Sequence, residues 1–592
     1  MEKVRLLKRL SLIALATGIW AGDAAAAELY VSPAGTGASC SPTSPCSFQT
    51  ALSLAQSNGG DGGHKLVIVA QDPEYRPVLD GGGSVKIMRI TTDTGRDGGD
   101  GGGDITVSGL IFKDGKSFAM GAGLRVRTHD ANVLVEKSEF EGNQCFQGIG
   151  GGAYLETVSG AVTVTGNRFS GNWGWDGAGG VHVAADSGSI TFTDNFLIGN
   201  GAHAGGGAAL SSRALRALTF SDNIFGGNWT LGGFGGAAYI SVYLDDAAVF
   251  KFTDNIFYEN ESGYSPYVGG AEVGIYPTGG ATPGAVTFGG NVFVKNSKIG
   301  LWLDVGVDSV ALEGNAFVGN GGHGLKMERG RTVTLTDNTF ADNEGFGADV
   351  RSNIVLLKDN TFMDNSYHGL WVEGSEVRLL DNTFVGNSGG SYVSAGELGV
   401  ITGNIFRDNY NPCWKYHLGG GICVYDENCV QGVYILTNNI FSGNSAKIAG
   451  ALYIRTCEPI IIVNNTFVGN SADEHSGGVY IANLIADIDI YNNIFWNNVA
   501  PKGGRDLCIT SGGNKIRLYN NNFSLGTIFD PDLDQNPEDA NLISGRLIIY
   551  RMSYFSSQPA FEKYFRGGDV TKDPMFAVPE RGNFHLLGAR PA

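Results

Sequence analysis

The 592-residue sequence predicts an all-β solenoid, a parallel β-helix of about 15 coils with a cap at each end. Three observations carry that reading: a recurring phrase, short apolar–polar alternations, and abundant glycine without helical periodicity. The phrase is Asn-x-Phe-x-x-Asn, which occurs fifteen times between residues 138 and 524. Copies include Asn167-Arg-Phe169-Ser-Gly-Asn172, Asn360-Thr-Phe362-Met-Asp-Asn365 and Asn465-Thr-Phe467-Val-Gly-Asn470. Three are worn: the first Asn is missing before Phe140, Leu197 replaces a Phe, and Gly526 closes the copy at Phe523. Between Phe140 and Phe523, 14 intervals cover 383 residues, and the tightest, at Phe340, Phe362, Phe384 and Phe406, recur every 22. A period of this size means units that stack to bury a shared core.

The elements follow in chain order. Lys3, Arg5, Lys8 and Arg9, an apolar stretch at 10–20 and Ala25-Ala26-Ala27 read as a signal peptide over residues 1–27. Residues 28–104 read as an N-terminal cap and first strands, with a short amphipathic capping helix at 48–56. Residues 105–526 hold the repeats. In most of them a Gly-Gly pair opens a strand, as in Gly151-Gly152-Ala153 and Gly477-Gly478-Val479. A second stretch alternates before the Asn, as in Val162-Thr-Val164-Thr and Val333-Thr-Leu335-Thr, the mark of a strand with one face buried. Two or three short strands per unit, in coils about 4.8 Å apart, place the Phe residues in an internal stack. The Asn residues then form amide ladders at the turns. Both residue types hold the rod together and carry no chemistry. Residues 527–592 read as the C-terminal cap, needed because an open coil exposes unpaired strand edges.

The paired Gly-Gly-Ala/Val and Phe-x-x-Asn phrases resemble the repeats of polymorphic outer-membrane proteins. More broadly, the chain resembles secreted right-handed parallel β-helix proteins of the pectate-lyase-like superfamily. Leu29-Tyr30-Val31-Ser32-Pro33 near the start, and Asp573-Pro574 with Gly582-Asn583-Phe584-His585-Leu586 near the end, are similar to the opening and closing segments of such bacterial surface proteins. The resemblance implies a right-handed coil and a secreted or cell-surface bacterial protein. It implies no single activity, because lyases, hydrolases, adhesins and tailspikes share the fold.

The net charge is −18, and removal of the leader leaves 37 basic against 57 acidic residues, near −20. Such a surface disfavours nucleic acid and anionic membranes as partners. No later run of 18 apolar residues marks a transmembrane helix. All eight cysteines follow the leader, which fits disulfides in an exported chain. Cys40 pairs with Cys46 across a Pro-rich turn, and Cys429 with Cys457 on adjacent coils; Cys145 and Cys508 have no evident partner.

Chemistry on a β-helix sits on outward side chains. Aligned on the Phe ladder, His323, Phe346 and His368 share one column, and Lys326, Asp349 and Trp371 the next outward one, after Trp302. Two residues on come Asp304, Glu328, Arg351 and Glu373, so that adjacent rungs pair Lys326 with Asp349, and Arg351 with Glu328 and Glu373. Read as a polysaccharide groove, this face offers Trp302 and Trp371 for stacking on sugar rings. Lys326, Arg351 and His323 are its candidate catalytic residues, and Asp304 with Glu328 a candidate calcium pair. Gly322-His323-Gly324 matches a phrase of polygalacturonase-like hydrolases, but the companion phrases are missing. A second surface is aromatic: Trp173, Trp175, Trp229, Tyr239, Tyr243, Tyr258, Tyr264 and Tyr267 lie in the longer early coils. The preferred expectation is a surface-associated binding or adhesion protein for glycans. A polysaccharide lyase or glycoside hydrolase, and a structural filament or envelope subunit capable of end-to-end self-association, are the alternatives.

Overall fold

The computed structural model describes residues 76–92 and 103–523, apart from 264–267, 281–282, 413–417, 427–431, 484–485, 503 and 520, together with strands at Leu12–Thr17, Ala27–Val31, Lys65–Ala70, Ile528–Phe529, Asn541–Arg551, Phe576–Val578 and Asn583–Leu586. Every regular element among these residues is a strand. The chain forms two compact units, Met1–Asp308 and Ser309–Ala592.

One coil of the first unit runs through Ala153–Thr157, Ala161–Thr165, Arg168–Ser170 and Trp173–Gly174. Each segment pairs in parallel with its counterpart in the next coil, at Val181–Ala185, Ser189–Thr193, Phe196–Ile198 and Gly201–Ala204. A tight coil of the second unit has only three segments, Leu325–Glu328, Thr332–Thr336 and Thr339–Ala341, each parallel to the next rung. The sequence explains the difference. Eight residues separate Asn172 from Val181, whereas four separate Asn343 from Ala348. The four extra residues make the fourth strand.

The Phe residues stack inside both units, with ring centroids 4.8 Å apart for Phe112–Phe140, Phe225–Phe257, Phe340–Phe362 and Phe441–Phe467. That spacing is the distance between parallel strands, so the ladder adds ring contact from rung to rung except at Leu197. The stack begins one coil before the first legible repeat, at Phe112, with Leu79 below it in register. On the next rung, that of Phe140, Ser138 fills the first Asn column and receives the amide of Leu110 on its hydroxyl.

The Asn columns are buried and fully used. Asn172 donates its backbone N–H and its Nδ2 to Asn200 Oδ1, at 3.0 and 2.9 Å, and Nδ2 also donates to the Phe140 carbonyl at 2.8 Å. Asn343 treats Asn365 and Phe317 in the same way in the second unit. Each Asn thus satisfies turn amides that water cannot reach, where an unpaired group costs about 1–3 kcal/mol. The residue before the first Asn is left-handed, with φ of 57° at Asp194, Asp222 and Asp254. Asp, Asn and Gly tolerate that conformation, which accounts for the Asp-Asn pairs.

Leu12–Thr17, inside the expected leader, runs antiparallel to Ala27–Val31 and to Lys65–Ala70, a placement that applies to the uncleaved chain. The capping helix expected at 48–56 lies outside the described residues, as do Cys40, Cys46, Cys413 and Cys429. In the expected C-terminal cap, Asn541–Arg551 continues the parallel sheet from Leu507–Tyr519, and Phe576–Val578 pairs antiparallel with Asn583–Leu586. Cys145 and Cys508 are free and buried, as is Cys423, while Cys457 is disulfide-bonded.

Candidate functional site

The outward columns were aligned correctly from the sequence, and their exposure was not. In the second unit Lys326, Asp349, Trp371, Tyr392, Cys423, Tyr453, Tyr480 and Cys508 stand in successive register. From Trp371 onward the column is a small outer core: Tyr392, Cys423, Ala449 and Tyr453 are buried, and Leu418, Ile448 and Trp371 pack on them. Trp371 lies 3.8 Å from the Tyr392 ring at 11° and donates its indole N–H to Glu373 at 2.8 Å. It is a packing residue here, not the open sugar platform expected.

His323 stacks on Phe346 at 4.7 Å, and Phe346 on His368 at 6.0 Å, as the alignment implied. His323 Nδ1 accepts the Phe346 amide at 2.9 Å. Burial, with Lys326 and Arg351 nearby, pushes its pKa down to about 4, so the imidazole is neutral at pH 7 and one nitrogen is committed. Burial brings His368 to about 4 as well. Arg351 and Lys326 also pair along their own strands, while Glu328 and Glu373 on the neighbouring rungs act on Arg351 electrostatically, as expected. Lys326 Nζ meets Glu328 at 3.0 Å, and Arg351 Nε meets Asp349 at 3.2 Å. Asp349 is only 3% exposed, and burial raises its pKa against the pull of Arg351. Same-strand neighbours two residues apart share a face, and alternation alone does not rank them against rung neighbours.

Trp302 and Asp304 belong to the first unit. Trp302 follows Tyr154, His182, Ala209, Tyr239 and Glu272 in successive register. Asp304 accepts the Tyr276 hydroxyl at 2.9 Å. Glu272 was not singled out in the sequence, though its place one rung below Trp302 was available from the same alignment. Burial raises its pKa to about 7, with Asp304 adding to the rise and the Gly235 amide opposing it. Its Oε2 is buried and has no hydrogen-bond partner. Among the described residues no three His, Cys, Asp or Glu side chains converge as metal ligands. Asp304 and Glu328 each have a protein partner instead.

The fourth-strand sheet of the first unit is different in kind. Its strands run Lys116–Ser117, Gln144–Cys145, Trp173–Gly174, Gly201–Ala204, Trp229–Phe234 and Glu261–Ser262, paired in that order. Ser117, Cys145, Gly174, Ala202, Thr230 and Ser262 point inward and are buried. The outward column is therefore Lys116, Gln144, Trp173, Gly201, Trp229 and Glu261. Trp173 and Trp229 stand two rungs apart, yet their rings stack at 4.9 Å and 28°. Gly201 between them makes this possible: a Cβ there would come within 2.5 Å of the Trp229 ring and 2.9 Å of Trp173. Trp175 meets Trp173 edge-on at 6.4 Å and lies 5.2 Å from His203. Trp175 is 46% exposed and Trp229 36%, so the assembled indoles face solvent. Of the longer-coil aromatics, Tyr243 is also exposed, beside Tyr276 at 5.3 Å. Tyr264 and Tyr267 lie outside the described residues.

No helix among the described residues is long and apolar enough to cross a membrane. No curated protein and no solved structure matches the chain. One family model, described as "Right handed beta helix region", matches residues 97–282 and 273–433, more than half of the chain. Its span covers the fourth-strand sheet and the tight coils alike. The protein therefore belongs to the right-handed β-helix family.

Proposed function

We propose that the protein is an exported β-helix that binds glycans through the aromatic face of its first unit and acts at the cell surface as a binding or adhesion protein. The observation that carries the reading is the Trp173–Gly201–Trp229 arrangement. Two indoles from alternate rungs are held together over a glycine, with a third, Trp175, against their edge. Aromatic surface left in water costs free energy unless something covers it, and the C–H faces of a pyranose are a matching cover. The rod fixes the ring positions before a ligand arrives, so little ordering entropy is lost on binding. The leader and the post-leader cysteines support export. Mass mapping of non-reduced secreted protein is expected to find Cys40 joined to Cys46 and Cys429 to Cys457.

The test is a glycan array read with wild-type protein and with Trp173→Ala and Trp229→Ala. Retention is expected for wild type and a loss of about 1–3 kcal/mol for each variant, if stacking on sugars resembles stacking on bases. Retention that both variants preserve would overturn the reading. The same samples assayed for unsaturated uronate products are expected to give none.

A further inference from the structure

Two residues beyond the Trp173 column, at or just past the ends of these strands, stands a second outward column of Phe118, Phe146, Trp175 and His203, with Leu231 following where the register shifts. Parallel pairing continues into it, with Phe146 N–H donating to the Ser117 carbonyl and Trp175 N–H to the Cys145 carbonyl. Phe118 is 66% exposed, and Trp175 and Leu231 are exposed as well. Phe118 and Phe146 rings lie 5.9 Å apart, and Lys116 Nζ sits 4.9 Å over Phe146. The aromatic residues thus form not one platform but a stripe along the stacking direction.

Its dimensions are set by the sheet. Five rungs make four steps, about 19 Å, and the two columns are two residues, about 7 Å, apart. Such a strip is far smaller than the roughly 800 Å² that each partner gives to a standard protein interface. A second copy of this chain is further disfavoured by its net charge of −18. Polar groups interleave with the rings: Gln144 and Lys116 lie at one end, His203 in the middle and Glu261 at the other. At the Lys116 end the stripe opens into a cavity of about 300 Å³ lined by Gly82, Gly83, Asp114, Gly115, Lys116 and Gln144, with Gly142. Apolar faces at rung spacing with hydroxyl partners between them describe an extended sugar chain, in which one pyranose advances by about one rung.

Resting on the glycan reading above, we propose that the stripe from Phe118 to Leu231 binds an extended, uncharged polysaccharide lengthwise, one sugar per rung over about five rungs. The acidic surface repels polyuronates, and one lysine at one end does not offset it.

The test measures affinity for neutral cello-, xylo- and manno-oligosaccharides of two to eight sugars, with oligogalacturonates of equal length as the charged counterpart. For at least one neutral series, affinity is expected to rise at least 10-fold between two and five sugars and then level off. Galacturonates are expected to bind more weakly at every length. Phe118→Ala, a change at an exposed side chain, is expected to lower hexasaccharide affinity about 10-fold and leave the disaccharide unchanged. Trp229→Ala is expected to weaken both. Equal affinity for two and six sugars, tighter binding of galacturonates, or array hits with no binding in any neutral series would overturn the lengthwise proposal while leaving glycan binding intact. Absence of any glycan on the array would instead remove the reading on which it rests.

Discussion

The fourth strand occurs in both units, and the two versions carry different side chains on the same frame. In the first unit its outward column reads Lys116, Gln144, Trp173, Gly201, Trp229 and Glu261. In the second unit the corresponding short sheet presents Tyr410, Ser445 and Ser471, with Val499 bridged to Ser471. The inward residues are alike, small and buried in both: Cys145, Gly174 and Ala202 against Asn411, Ala446 and Ala472. What folding requires is thus kept in both units, and what it does not require differs. Two tryptophans stacked over a glycine, with a third edge-on to Trp173, have no folding role that Ser445 and Ser471 fail to fill. The difference is the strongest pointer in the molecule to a ligand.

If that comparison holds, interior changes affect both units alike and outer changes only one. The largest effect is expected in the Phe stack. Phe225→Ala and Phe362→Ala remove fully buried rings and are each expected to cost about 3–5 kcal/mol, read by denaturant unfolding. A cost below about 1 kcal/mol in either unit would mean that the ladder there is not core. Next come the amide columns. Asn200→Ala strips the acceptor from Asn172 N–H and Nδ2 and leaves the Phe169 carbonyl without its donor, at about 1–3 kcal/mol. Asn365→Ala is expected to match it in the second unit. On the outer faces the symmetry should break: Trp229→Ala weakens glycan retention, whereas Tyr410→Ala, at a 54% exposed residue, leaves it unchanged. Tyr410→Ala is expected to shift stability by less than about 0.5 kcal/mol, and Trp229→Ala, which loses its stack on Trp173, by about 0.5–1.5 kcal/mol.

Protonation gives a further contrast. Glu272 has a folded pKa near 7 against an ordinary 4.5, so folding retains a proton that the unfolded chain releases. Its contribution is fully present below pH 4.5 and lost as pH rises through 7. His182, His323 and His368 sit near 4 against 6.5. Their contribution is present above pH 6.5 and lost as pH falls toward 4. Glu272→Gln is therefore expected to remove part of the loss of stability between pH 5 and 8, followed by thermal melts of both proteins. A variant with the wild-type slope would show that Glu272 ionises freely. The smallest effect is reserved for Lys326→Ala, which breaks a partly exposed pair worth about 0–1 kcal/mol and is expected to leave ligand retention untouched.

Much of this fold was legible because stacking makes equivalent residues fall at equal intervals. Phe362 and Asn365 announce their positions by repeating what Phe340 and Asn343 do one rung earlier. Legibility failed where the signal was shorter than its period. The rung at Phe112 escaped notice because Leu110 and Gly115 replace both Asn residues. The fourth strand was invisible because most of its copies are two residues long, too short to alternate. The outer columns were aligned to the residue, yet Trp371 was assigned to a ligand when its ring packs on Tyr392 at the edge of a small outer core. Alternation tells which face a side chain takes, not what lies over that face. Trp173 and Trp175 were picked out by type, while the stacking of Trp173 on Trp229 depended on Gly201, whose importance no pattern marks.

The most direct measurement is oxidative footprinting of the tryptophans in full-length protein, with and without the tightest glycan from the array. Trp175 and Trp229 are expected to react readily alone and to be protected by ligand, while Trp302 and Trp371 keep the same reactivity in both states. Protection centred on Trp371 or Trp302, with Trp175 and Trp229 unchanged, would contradict the assignment of the ligand face to the first unit's fourth-strand sheet.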